Sequence, residues 1–326
     1  MAYLTELNKE NIKNIIFNYK LLDYISYTPI YDGVQNSNYI ITTKKRKYIF
    51  TIFEDNYVAN NLKEFLKLMI FLKKSGFSCP FPITDRNNNL VNLVSNKPSS
   101  LLTYLNGKFL YRHKLSHLHQ LGGYVAKLHN ISLKYPNHIK QRFDKKFYVN
   151  TILENNSLIL EYDITIKNKF ENIINDYNNL NKINIPKGII HGDLFPDNVL
   201  FNKGKIEGFI DFYFSNYDYL ISDIAIVIIS WCFYHTNNKS IQLNMDKVKI
   251  LIISYNKYRN ISYNELSSIN IICKIYCIRF FLTRLIDKKN KKNSKKILTK
   301  DPNEYIYKLL YFYTNNINFE QIIEHE

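Results

Sequence analysis

The stretch IIHGDLFPDNVLFNKGKIEGFIDF, residues 189–212, places Asp193, Asp197, Asn198 and Asp211 among short apolar runs in a chain that otherwise carries an excess of lysine. Asp193, Asp197 and Asn198 fall in one loop. Asp211 follows two strand-like pieces, VLF and GFI. His-Gly-Asp, then Asn198, a strand and an apolar-flanked Asp have the order and spacing that phosphoryl transfer needs. That chemistry asks little covalent work of the protein but strict positioning and cancellation of charge on the moving group. Asp193 suits the base that accepts a hydroxyl proton. Asn198 and Asp211 suit magnesium, which prefers hard oxygen ligands. Asp and Asn are also common turn and cap residues, but the His-Gly before Asp193 and the strand after Asn198 favour the chemical reading. Asp197 fits three readings equally: a turn cap, an aid to the substrate hydroxyl, or neither.

Upstream of this stretch, Asn8 caps a first helix with Ile12, Ile15, Ile16 and Tyr19 at helical spacing. The segments DYISYTPIY, NYIITT and KYIFTIF then read as an antiparallel meander. A helix from about Val58 to Lys74 follows, with Gly76 past its end, and then short strands through FPITD, LVNLV and SSLLTYL. After Gly107 the pattern is mainly helical, including HLHQLGGYVAKLHNIS, a helix within ILEYDITIKNKFENIINDYNNL, and several more from Tyr219 to Leu310. The division expected is an N-terminal lobe over 1–100, a connector at 101–106 and a helical lobe over 107–326. The turn DGVQNSNY, with Gly33 and the Ser37 hydroxyl, reads as a phosphate-covering loop, although an ordinary hairpin turn would look the same.

The chain has 326 residues, a net charge of +16, 46% hydrophobic residues and 15% aromatic residues, which place it among globular proteins. The lysines are scattered and accompany heavy use of Asn, Ile and Tyr, as AT-rich codons produce. They argue for a solvated surface rather than a nucleic-acid site. The run from Asp287 to Lys296 has the polarity of an exposed loop. Four cysteines without metal-site spacing read as buried thiols in a reducing cytoplasm. The longest apolar stretch, IAIVIISWCF, is about half a membrane span, so neither a membrane nor a nucleic acid is an expected partner.

These residues resemble the aminoglycoside phosphotransferase and choline kinase superfamily, through HGDLFPDNVLF with FIDF. Within it they resemble the homoserine kinases, through GVQNSNYIITT, YIFTIFE, IDFYFSNYDYLISDIAIVIISWC and IRFFLTRLID followed by DPNEY. The likeness spans Gly33 to Tyr305. It implies an α+β, bilobal protein-kinase-like fold, with a small antiparallel sheet and one main helix in the N-lobe and a larger helical C-lobe. It implies Asp193 as catalytic base, Asn198 and Asp211 as Mg2+ ligands, His191 and Asp223 as supports of the loop, and ATP as phosphoryl donor. ATP would meet Gly33, Ser37, Asn38 and Thr51, with the adenine at a hinge containing Leu102 and Tyr104. The implied reaction carries the ATP γ-phosphoryl group to the hydroxyl of L-homoserine.

The third strand of such lobes usually carries a lysine for the phosphates, and here Thr51 stands in its place. An amino-acid acceptor needs a cation for its carboxylate, and bidentate arginine is the best partner. Arg279 and Arg284 are the candidates, one for substrate and the other for a structural ion pair, with Tyr213 and Trp231 as possible pocket walls. Two alternatives stand beside this reading. One is a kinase of the same fold acting on choline, an aminoglycoside or another small alcohol. The other is an inactive nucleotide-binding scaffold.

Overall fold

The computed structural model describes residues 5–31, 36–162, 166–236, 240–291 and 300–324. The chain divides into two compact units. The described parts of Met1–Gly107, Glu207–Tyr213 and Lys288–Thr299 form the first, and those of Lys108–Ile206, Phe214–Asp287 and Lys300–Glu326 form the second.

In the first unit, α1 (Lys9–Asn18) starts at Asn8, whose side chain accepts the Asn11 N–H at 2.8 Å while the Asn11 side chain accepts the Asn8 N–H at 3.1 Å. This reciprocal cap satisfies two donors that a helix start leaves unpaired. The strands β1 (Tyr24–Ile30), β2 (Asn36–Thr43), β3 (Lys47–Phe53), β4 (Pro82–Ile83), β5 (Asn92–Val94) and β6 (Lys97–Thr103) pair antiparallel in the order β1-β2-β3-β6-β4, with β5 also on β6. Strict alternation of burial along β2 sends Tyr39 and Ile41 inward. There they join Phe50, Ile52, Leu101 and the Ile12, Ile15 and Tyr19 side chains in one apolar cluster. Between β3 and β4 runs α2 (Asn56–Lys74), capped by Asp55 through the Val58 N–H at 2.9 Å. Gly76 takes φ +80° just beyond it, a backbone state that glycine reaches without steric cost.

Because β6 continues through Thr103, Leu101 to Thr103 of the expected connector are sheet residues and the non-strand segment starts at Tyr104. Similarly, β2 begins at Asn36, so Ser37 and Asn38 belong to a strand rather than to the preceding turn. Gly33 lies outside the described residues.

The second unit contains α3 (Leu115–Ser132), α4 (Lys145–Glu154), α5 (Asn156–Leu160), α6 (Ile166–Asn179), β7 (Lys187–Ile190), β8 (Val199–Asn202), β9 (Lys205–Phe209, whose last residues belong to the first unit), β10 (Asn216–Tyr219) and α7 (Ile221–Trp231). It ends with β11 (Phe233–His235), β12 (Ile241–Leu243), α8 (Met245–Tyr258), α9 (Tyr263–Lys291, whose last residues belong to the first unit), α10 (Asn303–Thr314) and α11 (Gln321–Glu324). IAIVIISW lies within α7, where every residue except Ser230 is buried. A helix apolar on all sides is the centre of a helical core. Among the described residues no helix is long and apolar enough to cross a membrane. The antiparallel pairs β7–β10 and β11–β12 were not expected from the sequence. The helix expected within the segment 159–180 is α6, and the end of α5 falls there as well. The lysine-rich run also departs from expectation, because α9 continues through Lys291. Lysine has good helix propensity, and the apolar residues from Ile272 to Leu285 already anchor that helix. Residues 292–299 lie outside the description.

Candidate active site

In the second unit, β7 delivers the chain to His191. Asp223, in the first turn of α7, accepts the His191 N–H on Oδ2 at 2.8 Å and the Gly192 N–H on Oδ1 at 2.9 Å. Gly192 has φ +77°, and a Cβ there would stand 2.5 Å from the Phe214 carbonyl oxygen, so both conformation and space demand glycine. The His191 ring is buried, and its Nδ1 accepts the Asp193 N–H at 3.3 Å. Further along the loop, the Leu194 carbonyl accepts the Trp231 indole N–H at 2.9 Å and the Ser230 hydroxyl at 3.4 Å. Trp231 therefore braces the loop through its one polar atom.

Asp223 is itself fully buried. Burial raises a carboxyl's pKa, but the hydrogen bond from His129 Nε2 at 3.1 Å, the charge of His129 and His191 and the Gly192 N–H outweigh it and hold Asp223 below the ordinary value. The other nitrogen of His129 meets the Tyr255 hydroxyl at 2.7 Å, and that hydroxyl accepts from Arg259 at 3.0 Å. A buried polar chain thus runs from the loop backbone through α7 and α3 into α8.

Asp193 sits at the tip of this braced loop with 17% of its side chain exposed. Its Oδ2 accepts from Asn198 Nδ2 at 3.0 Å, and the same amide nitrogen donates to the Asp193 carbonyl at 2.7 Å. The Asn198 amide is thereby oriented, and its Oδ1 has no partner among the described residues. Arg279, 2% exposed on α9, donates from Nη1 to the Gly192 carbonyl at 2.6 Å and brings Nη2 to 3.8 Å from Asp193 Oδ1. Phe143 and Phe280 flank the guanidinium, with ring centroids 4.2 and 4.7 Å from its central carbon. Burial pushes the Asp193 pKa up to about 6, Arg279 opposes the shift and Asp197 adds to it. A carboxylate poised there suits a general base working near neutrality. Asp197 pairs with Lys300 at 3.1 Å with both side chains about half exposed, a contact that contributes little.

Arg284, the other arginine candidate, is committed elsewhere. It donates to the Asp301 carbonyl at 2.8 Å and pairs with Glu304 at 2.7 Å. It joins α9 to α10 and is not brought to Asp193. In the first unit the Ser37 hydroxyl is wholly buried, donates to Glu54 at 2.6 Å and accepts the Thr5 N–H at 2.9 Å, so it is used inside the fold rather than turned to a phosphate. The Thr51 hydroxyl donates to Asn38 Oδ1 at 2.7 Å across the β2–β3 register. Glu64 and Lys67, on the helix that follows the Thr51 strand, pair with each other at 2.8 Å on the surface of α2. Leu102 is buried in β6, and Tyr104 is half-buried with Lys47 Nζ 5.9 Å from its ring. Tyr213 is core, packed edge-on against Phe53 and Phe65. Asp211 is half-buried and holds φ +64°, a left-handed conformation that costs a non-glycine residue about 1 kcal/mol or more and collects at functional sites.

Among the described residues no three His, Cys, Asp or Glu side chains group as an all-protein metal site would. Magnesium bound beside a nucleotide does not need such a group, because it takes one or two protein oxygens and fills its shell with phosphates and water. The unengaged Asn198 Oδ1 is a donor of the right kind. Reasoning from the sequence missed His129, because its partners lie on other helices and the apolar period around it gives no sign of them.

The phosphotransferase enzyme family matches residues 26–238 of this chain. Homoserine kinase of Sinorhizobium medicae (strain WSM419) is 31% identical over 313 residues, covering 95% of this chain and 94% of that protein. Homoserine kinase of Bartonella henselae (strain Houston 1) is 30% identical over 316 residues, covering 96% and 97%. An amicoumacin kinase solved with AMP-PNP, Ca2+ and its ligand Ami superposes with a TM-score of 0.73 at 13% identity, covering 97% of each chain. The α+β, protein-kinase-like fold expected from the motifs is therefore the fold of this chain. By sequence along almost its whole length, the chain belongs to the phosphotransferase enzyme family and, within it, to the homoserine kinases.

Proposed function

We propose that the protein transfers the γ-phosphoryl group of ATP to the side-chain hydroxyl of L-homoserine. The observation that carries this reading is the braced Asp193, a half-buried carboxylate bonded to Asn198 and faced by the buried guanidinium of Arg279, in a chain about 30% identical to homoserine kinases over nearly its full length. Asp193 accepts the hydroxyl proton as the substrate oxygen bonds to the γ-phosphorus. The bond from that phosphorus to the β,γ-bridging oxygen breaks, ADP leaves, and the proton passes to solvent. Asn198 and Asp211 are the proposed magnesium ligands, each on its own evidence: an oriented amide oxygen in one case and a carboxylate on a strained backbone in the other. When bound, the metal neutralises charge on the phosphates. Arg279 offers a partner to an acceptor carboxylate, a group that choline lacks. Buried free thiols, found for all four cysteines, suit work in a reducing cytoplasm.

The test is ADP release from ATP and magnesium with L-homoserine, L-serine, choline and an aminoglycoside offered separately, with the product identified by phosphorus NMR. Turnover selective for L-homoserine is expected. Selective turnover of another acceptor would move the substrate while keeping the chemistry. ATP binding with no transfer to any acceptor would favour the scaffold.

A further inference from the structure

The second unit contains a cavity of about 320 Å³, lined in part by Tyr148 on α4, Tyr177 on α6 and Asp218 on β10. Past Gln141, Tyr148, Tyr177 and Asp218 it adjoins a narrow inner recess of about 10 Å³, room for about one water-sized group, that Asn216 and Arg279 also line. At the neck stands Asp218, 5% exposed. Its carboxylate accepts from the Tyr177 hydroxyl at 2.9 Å, the Tyr276 hydroxyl at 3.1 Å, the Gln141 amide at 2.9 Å and the Tyr219 N–H at 2.8 Å. All four donors are neutral, and no cation among the described residues forms an ion pair with Asp218. Burial raises the Asp218 pKa, and the charge of Lys187, which lines the same cavity, opposes that only in part.

Two further groups lining the recess are incomplete. Among the described residues, Oδ1 of Asn216, itself 4% exposed, and Nε of Arg279, itself 2% exposed, have no hydrogen-bond partner. One recess therefore offers an acceptor and a cationic donor without partners among the described residues, beside a carboxylate in no direct ion pair. That set complements a small zwitterion carrying one ammonium and one carboxylate.

Resting on the proposed reaction, we infer that this recess, widened as Gln141 withdraws from Asp218, and the adjoining cavity hold the α-amino and α-carboxylate groups of the acceptor. The carboxylate sits on Arg279 Nε, and the ammonium sits between Asp218 and Asn216 Oδ1. Gln141, half-buried ahead of α4, is the donor that yields its place on Asp218 to the ammonium. Arg279 also connects the recess to the reaction, because its Nη1 holds the Gly192 carbonyl and its Nη2 stands 3.8 Å from Asp193 Oδ1. An acceptor anchored on Nε needs only a short side chain to bring its hydroxyl to that base. Specificity thus comes from Asp218 and Asn216, two residues that take no part in the phosphoryl chemistry.

The first test needs no variant. Wild-type kcat/KM for L-homoserine is compared with that for 4-hydroxybutanoate, which lacks the ammonium, and for 3-aminopropan-1-ol, which lacks the carboxylate. Each analogue should lose on the order of 100-fold or more, because a site built for a polar group rejects a ligand without it. Asp218→Asn should raise the KM for L-homoserine roughly tenfold or more, as loss of a charge-assisted contact does, leave the KM for ATP near wild type, and shrink the discrimination against 4-hydroxybutanoate. Tyr177→Phe should shift KM in the same direction by less, and stands in if Asp218→Asn melts at assay temperature. Analogues turned over as well as L-homoserine, or an Asp218→Asn defect equal for L-homoserine and 4-hydroxybutanoate, would overturn the inference. If the wild-type enzyme phosphorylates no amino acid, the proposed reaction fails separately, and the recess is then judged by calorimetry. L-Homoserine binding lost in Asp218→Asn would support it, and no binding to the wild type would overturn it.

Discussion

Gly192 shows how narrowly the site is set at the scale of single residues. Its N–H is held by Asp223, its carbonyl by Arg279, and its missing Cβ leaves room for the Phe214 carbonyl. Gly192→Ala would combine a strained φ with a clash against backbone. It is expected to destabilise the fold by about 1–3 kcal/mol and to lower kcat steeply, because Asp193 is the next residue. Thermal melts and steady-state rates on the same preparation check this, and an alanine variant with wild-type kcat would show that the loop tolerates a shift. At this scale the sequence nominates Asp193, Asn198 and Asp211 because they lie close together in the chain and their types match one chemistry. His129, and the commitment of Arg284 to Glu304, were not legible. Both depend on which helix faces which, and side-chain spacing along one helix does not state that.

At the scale of elements, helices with caps and an apolar stripe were readable, as with α1 behind Asn8 and α2 behind Asp55. Some short strands were readable too, such as β4, β5 and β8, but others were not. The pairs β7–β10 and β11–β12 join segments whose partners are fixed by tertiary packing rather than by local pattern. The contact between α9 and α10 gives a pH prediction. Burial would raise the Glu304 pKa, but Lys308 and Arg284 outweigh it and bring it down to about 2 from an ordinary 4.5. A depressed carboxyl stabilises the fold above its unfolded pKa and loses that contribution as pH falls through the folded one. Wild type should therefore be more stable than Glu304→Gln at pH 7, and the gap should close between 4.5 and about 2. The gap should be modest, because the Glu304 side chain is 39% exposed and solvent screens the pair. Chemical denaturation across that pH range measures it, and a gap independent of pH would remove the ion pair from the account.

For the whole molecule, composition indicated a globular chain with an unremarkable basic surface and buried thiols. All four cysteines are free and buried, and burial pushes Cys79 and Cys232 up to about 12. Native protein should react with a thiol reagent far more slowly than the same protein in denaturant. Four fast equivalents in the native state would contradict that packing. The fold class was legible because two local patterns, a strand meander and a series of amphipathic helices, follow one another in the chain. The grouping of Glu207–Tyr213 with the first unit was not, since β9 passes from one unit into the other without any break in sequence. The most direct test of the central claim is the turnover of Asp193→Ala with ATP, magnesium and L-homoserine, measured beside its affinity for ATP. A fall in kcat of about 10²–10⁴ with ATP binding near wild type is the expected result. Near-normal turnover would contradict the assignment of Asp193 as the base and the mechanism built on it.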